Sequence, residues 1–555
     1  MEIIESLPPS FPDNTYVAMD LEMSGMEEEL LHRPTTGKFA CLSICANSDK
    51  IYLIYEPTQV PEVIKRLDNC IWVMHDAKFD ITQLRRWADI PPRRKLWDTF
   101  LMEHILWGGY YDKFSLADLA RRYLGIVLDK EPRKMFSDNY QGMTGELLQY
   151  AALDASITLQ VQQEQKKYIK RNDMKIWHEI ERPALFAVLA FQGFRIDVDA
   201  WRQLADYNEK QAQIIKDRLP MNPSSPKEIM QYFKKHGKNI SKTNEDVLLK
   251  IANTNSDLGK IAHDILEYRK YSKRASTYGM KFIEIYLEKE DNYYVIHPDY
   301  NIIGAETGRM SSSRPNIQNI IAHDTAEYRK CFIAKPNHKL IIADYSAQEP
   351  RVAAHLSQDL KLLKIFREHK DIYCELAKVV YGNEITKKDP LRNKMKPIFL
   401  GLTYGLSSKH LAENIGIEPE EGKAIYKKVF DHFKVFAEYM ENIKKRKDYV
   451  RTVSGRKIWL NPYSSRVERN ALNSPIQGTS AEIIKLALSI LHNKLPECYP
   501  AVAVIHDEIV MDVPERLANL MSKKVTDSMK EAAEILCPSV PFDVDAKICD
   551  SWGEK

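Results

Sequence analysis

The period of hydrophobic and polar positions changes several times along the chain. Toward the N-terminus, four short apolar runs read as strands: Tyr16–Met23, Ala40–Ala46, Ile51–Tyr55 and Ile71–Met74. Helical patterns alternate with them up to about residue 170, which predicts an α/β domain. Residues 175–290 are mostly helical in pattern and rich in lysine, with a break at Asn222–Pro226. Short strands and turns return over 300–360, and helical patterns over 360–450. Near the end, two β-branched apolar runs flank His506-Asp507-Glu508 within Val502–Val513. That predicts a hairpin whose tight turn presents two adjacent carboxylates. Helical patterns lie before it (Ala481–Lys494) and after it (Glu515–Leu536). Strands near 340 and 505 thus bracket a helical insertion, the pattern of a discontinuous central domain.

Composition sets bounds on this picture. A chain of 555 residues is too long for one core, so two to four domains are expected. With 28% charged and 44% hydrophobic residues it reads as soluble globular protein. A formal net charge of +3 requires any nucleic-acid-binding surface to be local. The eight cysteines (41, 45, 70, 331, 374, 498, 537, 549) are scattered without a CxxC pair, which points to core thiols rather than zinc. The acidic, proline-rich start is unlike a signal peptide, and no apolar run reaches the ~18 residues of a membrane span. An intracellular protein is expected.

Candidate chemistry comes in two sets. In the first, Asp20 and Glu22 share one face of a strand. His75-Asp76-Ala77-Lys78-Phe79-Asp80 follows the Ile71–Met74 run, and Tyr150 and Asp154 stand at i, i+4 on a helix. Each piece alone is commonplace. Four converging carboxylates can hold two divalent ions, and Tyr150 can orient an attacking water. In order and spacing these segments resemble the DEDD superfamily of 3′–5′ exonucleases, in the subclass with tyrosine. The resemblance covers about residues 10–170. It implies a ribonuclease H-like domain with metal ligands Asp20, Glu22, Asp80 and Asp154. Asp76 stands where polymerase-linked members often have Asn, so weaker contact with the DNA backbone or altered metal affinity is expected.

In the second set, the apolar run from Leu340 ends at Asp344, a natural partner for Asp507 across more than 160 residues. Taken alone, Asp344 is equally a surface carboxylate after a core strand. Arg392, Lys396, Leu400 and Tyr404 fall on one slowly drifting helix stripe that suits phosphates at one end and sugar and base at the other. Pro397 within it predicts a kink. Thr307–Asn319 and Arg469–Thr479 read as polar loops rich in donors, able to meet minor-groove acceptors. Lys234, Lys235, Lys238 and Lys242 form one basic cluster. Arg269, Lys270, Lys273 and Arg274 form another, beside Tyr268, Tyr271 and Tyr278.

Together, TGRMSSSRPNIQNI, DYSAQEPR, the Arg392–Gly405 stripe, RNALNSPIQGTSAEIIK and VIHDEI resemble the motifs of family A DNA polymerases, in the family's order. The resemblance implies an α/β multidomain protein, an exonuclease domain over 1–172 followed by a right-hand polymerase domain over 173–555. The thumb would span about 180–300, the palm about 301–360 and 436–555, and the fingers about 361–435. It implies two Mg²⁺ per active site, with Mn²⁺ able to substitute. Asp344 and Asp507 would be ligands in the polymerase, with Glu508 supporting them. Arg392 and Lys396 would hold the triphosphate, and Lys396 would protonate the leaving pyrophosphate. Glu349, Leu400, Tyr404 and Tyr373 would shape the nucleotide pocket, with Glu349 excluding a 2′-OH. Arg309, Gln477 and His506 would touch the primer end, and Arg469 and Asn473 the template. Primer-template DNA and dNTPs are the implied partners of a monomer, with a processivity factor left open. The 5′-nuclease domain of larger members is expected to be absent. Two positions depart from the pattern: Leu400 replaces Phe or Tyr, and Tyr373 replaces a His. A nuclease with a DNA-gripping but inactive polymerase half, and a non-catalytic DNA-binding scaffold, are the alternative readings.

Overall fold

A computed structural model describes residues 2–26, 33, 37–47, 49–91, 94–136, 140–321, 327–382, 384–495 and 501–555. Cys498 lies outside them. The chain forms two compact units: Met1–Gln192, Pro298–Gln318 and Ile341–Ile548 make the first, and Gly193–His297, Asn319–Leu340 and Cys549–Lys555 the second.

The first unit begins with a six-stranded sheet of β1 (Glu2–Ile4), β2 (Tyr16–Ser24), β3 (Lys38–Asn47), β4 (Lys50–Ile54), β5 (Ile71–Met74) and β6 (Leu96–Asp98), in the order β1-β4-β3-β2-β5-β6. All four runs expected as strands are strands. The β2–β3 and β3–β4 pairs are antiparallel, while β2–β5 and β5–β6 are parallel. Met19, Leu21 and Met23 on β2 are buried and Asp20 and Glu22 only partly so, which is the alternation of a strand with one face on a core. A helix over Gly145–Tyr168, capped by the Thr144 hydroxyl, packs on β2 and β3 and brings Tyr150 and Asp154 beside Asp20 and Glu22.

In the second unit, β7 (Phe194–Arg195), β8 (Leu287–Glu290) and β9 (Tyr293–Ile296) form a small antiparallel sheet. Long helices over Val198–Arg218 and Asp257–Tyr278 pack together, and shorter ones over Pro226–Lys235 and Glu245–Ala252 complete a core around Phe233, Leu248 and Ile265. The break expected at Asn222–Pro226 separates the first two helices of this group. Lys234, Lys235, Lys238 and Lys242 are exposed, but Tyr268 and Tyr278 are buried. These two rings serve packing rather than a basic surface, because their helix turns that face inward.

Back in the first unit, β10 (Asp299–Asn301) and β11 (Ser311–Ser313) pair as an antiparallel ribbon. A four-stranded sheet then combines β12 (His338–Tyr345), β15 (Ala501–Ile505), β16 (Glu508–Pro514) and β17 (Val544–Cys549) in the order β15-β16-β12-β17; a separate ribbon joins β13 (Tyr449–Arg451) to β14 (Lys457–Trp459). The strand near 340 thus lies beside the hairpin near 505, with helices between them in sequence.

The expected loop over Arg469–Thr479 is instead part of a helix running through Val467–Lys494 with Pro475 inside it. Its local sequence disfavours helix, since an interior Pro removes a backbone bond at a cost of ~3 kcal/mol. Burial overrides that preference: Ala471, Leu472, Ser474, Pro475, Ile476, Gly478 and Thr479 are all buried. Gly478 is there because a Cβ would lie 2.6 Å from Thr452 Cγ2 and 3.0 Å from the Thr307 carbonyl.

Candidate active sites

The first site is a cleft of about 920 Å³ beside β2 of the six-stranded sheet. Asp20 and Glu22 on β2, Asp80 on the Ala77–Leu84 helix, and Tyr150 and Asp154 all line it. Oxygens of Asp20, Glu22 and Asp154 lie within 4.8 Å of one another. Desolvation and then Asp154 push the Asp20 carboxyl up from 3.8 to about 7. Desolvation raises Glu22 and Asp80 well above the usual carboxylate range and Asp154 to about 6. The Tyr150 hydroxyl donates to Asp154 and is itself raised, chiefly by burial. Asp20 Oδ2 is buried without a hydrogen-bond partner. A set of crowded carboxylates with one orphaned oxygen fits a hard divalent cation.

Asp76 opens into this cleft at the start of the Ala77–Leu84 helix, with φ +59. Its backbone N–H donates to Asp98 Oδ1 (3.3 Å). Asp98, which the sequence reading missed, also accepts from Ala77, Phe100 and Leu101 N–H groups, so one buried carboxylate caps two helices. Asp98-Thr99 before an apolar run was the available signal.

The second site is a cleft of about 1040 Å³ beside the four-stranded sheet, lined by Asp344, Glu349, Tyr373, Arg392, Lys396, Leu400, His506 and Asp507 among others. Asp344 is at the end of β12 and Asp507 in the hairpin turn, where Tyr345 N–H donates to the Asp507 carbonyl (3.4 Å). His506 takes φ +57 to make that turn and is exposed. The expectation that both adjacent carboxylates reach the surface fails for Glu508. It is the first residue of β16, paired with Ile505, and only 4% exposed. Alternation along the strand turns its side chain inward, near Tyr300.

The Pro390–Thr403 helix presents Arg392, Lys396 and Leu400 to the cleft, while Met395, Ile398, Phe399 and Leu402 are buried on its other side. The helix continues through Pro397. Tyr404 follows its last turn and donates to Glu349 Oε2, and Arg309 pairs with Glu349 Oε1. Glu349 is thus fixed from two sides, and Gln477 bonds the Tyr404 hydroxyl. Arg392 donates to Asp371 Oδ2 from Nε (3.0 Å) and Nη2 (2.8 Å), and its guanidinium lies 5.2 Å from the Tyr373 ring. Asp371 also caps the Ile372–Tyr381 helix. The sequence reading missed it, although Asp before an apolar helical run is a cap signal. Arg469 is exposed and Asn473 partly buried with Oδ1 unpartnered. Neither lines this cleft.

Residues 5–170 match the family model for 3′–5′ exonuclease, and residues 197–554 the model for DNA polymerase family A. A DNA polymerase I from Aquifex aeolicus is 28% identical over 94% of this chain and 95% of its own length. One from Pseudomonas aeruginosa is 30% identical over 86% of this chain but 56% of its own, so the chain spans little more than half of that relative. A solved structure described as the POL domain of Pol1 from M. smegmatis, in complex with DNA primer-template and dNTP, superposes with a TM-score of 0.83 over 99% of each chain. At 24% identity that likeness is one of fold.

The two carboxylate clefts lie in the parts of the chain that match these family models, so the class is a nucleotide polymerase joined to a nuclease. The chain belongs to DNA polymerase family A, with a ribonuclease H-like 3′–5′ exonuclease domain N-terminal to the polymerase domain. Both domains are of metal-dependent kinds, and a carboxylate cluster is in place. Among the described residues no helix is long and apolar enough to cross a membrane.

Proposed function

We propose that the second cleft adds dNTPs to the 3′ end of a DNA primer on a template, and that the first removes nucleotides from that end. The pairing of Asp344 with Asp507 in one cleft with Arg392 and Lys396 is the observation that carries this reading. Asp344 and Asp507 would hold Mg²⁺ in the polymerase site, and Asp20, Glu22, Asp80 and Asp154 in the exonuclease. The hand divides as thumb about 180–300, palm about 301–360 and 436–555, and fingers about 361–435. Bound Mg²⁺ pairs supply charge neutralisation at the phosphodiester and a more acidic water.

The chain's own groups do the rest. Arg392 and Lys396, one turn apart, bind the triphosphate, and Lys396 delivers a proton to the departing pyrophosphate. Arg392 must first leave Asp371. Glu349, fixed by Arg309 and Tyr404, stands against the sugar and excludes a 2′-OH, while Leu400 and Tyr373 bound the pocket. His506 and Gln477 face the primer end, Arg469 and Asn473 the template, and buried Glu508 braces the hairpin. In the exonuclease cleft, Tyr150, bonded to Asp154, orients the attacking water. Gel-resolved extension of matched and mismatched primers, with and without dNTPs, tests both halves. Asp344→Asn and Asp507→Asn should each abolish extension but leave 3′ trimming, and Asp20→Ala with Glu22→Ala should do the reverse. Extension by Asp344→Asn at the parent rate would refute the assignment.

A further inference from the structure

The segment Pro298–Gln318 reaches both clefts. Arg309, Met310 and Gln318 line the polymerase cleft, and Asp299, Asn301 and Arg314 line the exonuclease cleft. It is anchored to the hairpin: the Tyr300 hydroxyl donates to the Val504 carbonyl (3.1 Å) and accepts from the Val504 N–H (2.9 Å). Its other anchor is Asp299, whose side chain is 4% exposed and held between two cations. Lys78, from the exonuclease helix Ala77–Leu84, donates to Asp299 and to the Tyr300 carbonyl (2.7 Å). Arg314 Nη2 donates to the other Asp299 oxygen at 2.6 Å.

Arg314 is built for more than this pair. Its side chain is 35% exposed, its backbone takes φ +45, and among the described residues Asp299 is its one hydrogen-bond partner. Nε has none. A guanidinium carries five donors in a fork that matches phosphate oxygens. Lys78 and Arg314 share one buried carboxylate, which leaves a net positive charge on the trio. The acids that line the cleft, Asp20, Glu22, Asp76, Asp80 and Asp154 among them, repel a polyanion. The exonuclease domain contributes cations of its own at Lys130, Arg133 and Lys134. Arg314 comes from the polymerase half of the sequence and is fixed in place before substrate arrives.

We propose that Arg314 is a phosphate-binding residue of the exonuclease centre, gripping the backbone of a single-stranded DNA 3′ end as it enters the carboxylate cleft. The proposal rests on the exonuclease reading above. Asp76 lies within electrostatic reach of Lys78, Asp299 and Arg314, and its charge opposes that grip. The test is steady-state cleavage of a 5′-labelled single-stranded oligonucleotide by the full chain with Mg²⁺, over a range of salt. Arg314→Gln should raise KM about tenfold with kcat within about twofold, and make the salt dependence of log KM shallower by about 0.7, one phosphate contact on a single strand. Arg314→Lys should recover most of the affinity, and Asp76→Asn should lower KM. Lys78 still neutralises Asp299 in these variants, so no buried charge is stranded. Unchanged KM and salt slope in Arg314→Gln would overturn the proposal, as would an equal loss in Arg314→Lys, which assigns the effect to packing. No cleavage by the parent chain would instead remove the exonuclease reading itself.

Discussion

Asp20 shows how a single residue ties stability to pH. Desolvation and Asp154 hold its folded-state carboxyl at about 7, above the unfolded value of 3.8. A raised pKa stabilises the fold below about pH 4, and that contribution is lost as pH rises through about 7. The metal-free chain should therefore melt lower at about pH 8 than at about pH 5. In chelator at the higher pH, Asp20→Asn should raise stability by about 1–3 kcal/mol, a range kept low because the cleft admits water. Differential scanning calorimetry checks both, and a parent chain whose Tm rises over that interval would contradict the argument. A second residue-level prediction concerns Asp371. Replacing it with Asn keeps a helix cap but removes the countercharge of Arg392. KM for dNTP should fall about threefold, on the scale of ~1 kcal/mol for a partly exposed ion pair, with kcat less affected. If Leu400 bounds the nucleotide pocket as proposed, Leu400→Phe would set a flat ring there and should speed single-turnover incorporation and change discrimination against dideoxynucleotides. Unchanged rates and selectivity would refute that role.

At the scale of elements, legibility in the sequence followed the range of the interactions involved. The hairpin at β15–β16 and the strand β2 were readable because alternation and turn chemistry are local. The stripe on the Pro390–Thr403 helix was readable for the same reason. The inward turn of Glu508 was missed because it depends on where the two-residue turn begins. The Val467–Lys494 helix was misread at its first third, where Pro475 and Gly478 argue against helix and only distant neighbours argue for it. Lys78 is 221 residues away in sequence from Asp299, and no spacing rule joins it to Asp299 and Arg314. Gly478→Ala tests the packing explanation. Its new Cβ would crowd Thr452, Ile458 and the Thr307 backbone, so a loss of about 1–3 kcal/mol is expected by denaturant titration, although alanine is the better helix former.

At the scale of the molecule, both clefts lie in one compact unit, whose interior holds a buried ion network. Glu181 accepts from Arg456 and from Lys485 Nζ (2.8 Å), and Arg456 Nε donates to Glu482 (3.0 Å), all four side chains being at most 2% exposed. Burial lowers the Lys485 pKa to about 8. Trp107 of the N-terminal domain also stacks on Trp459 of β14, with centroids 5.6 Å apart, and Trp459 Nε1 donates to the Leu106 carbonyl (2.8 Å). Removing one member of a buried ion network costs about 3–5 kcal/mol. Because both clefts lie in one compact unit, Lys485→Met should lower the heat-inactivation midpoints of primer extension and 3′ trimming together. Separate midpoints would mean that the two halves unfold independently. Shared failure has a consequence for the genome being copied. An enzyme that lost editing first would go on synthesising and leave errors behind it. With Trp107 stacked on Trp459 across the junction, a heat-damaged copy of this one should instead fall silent.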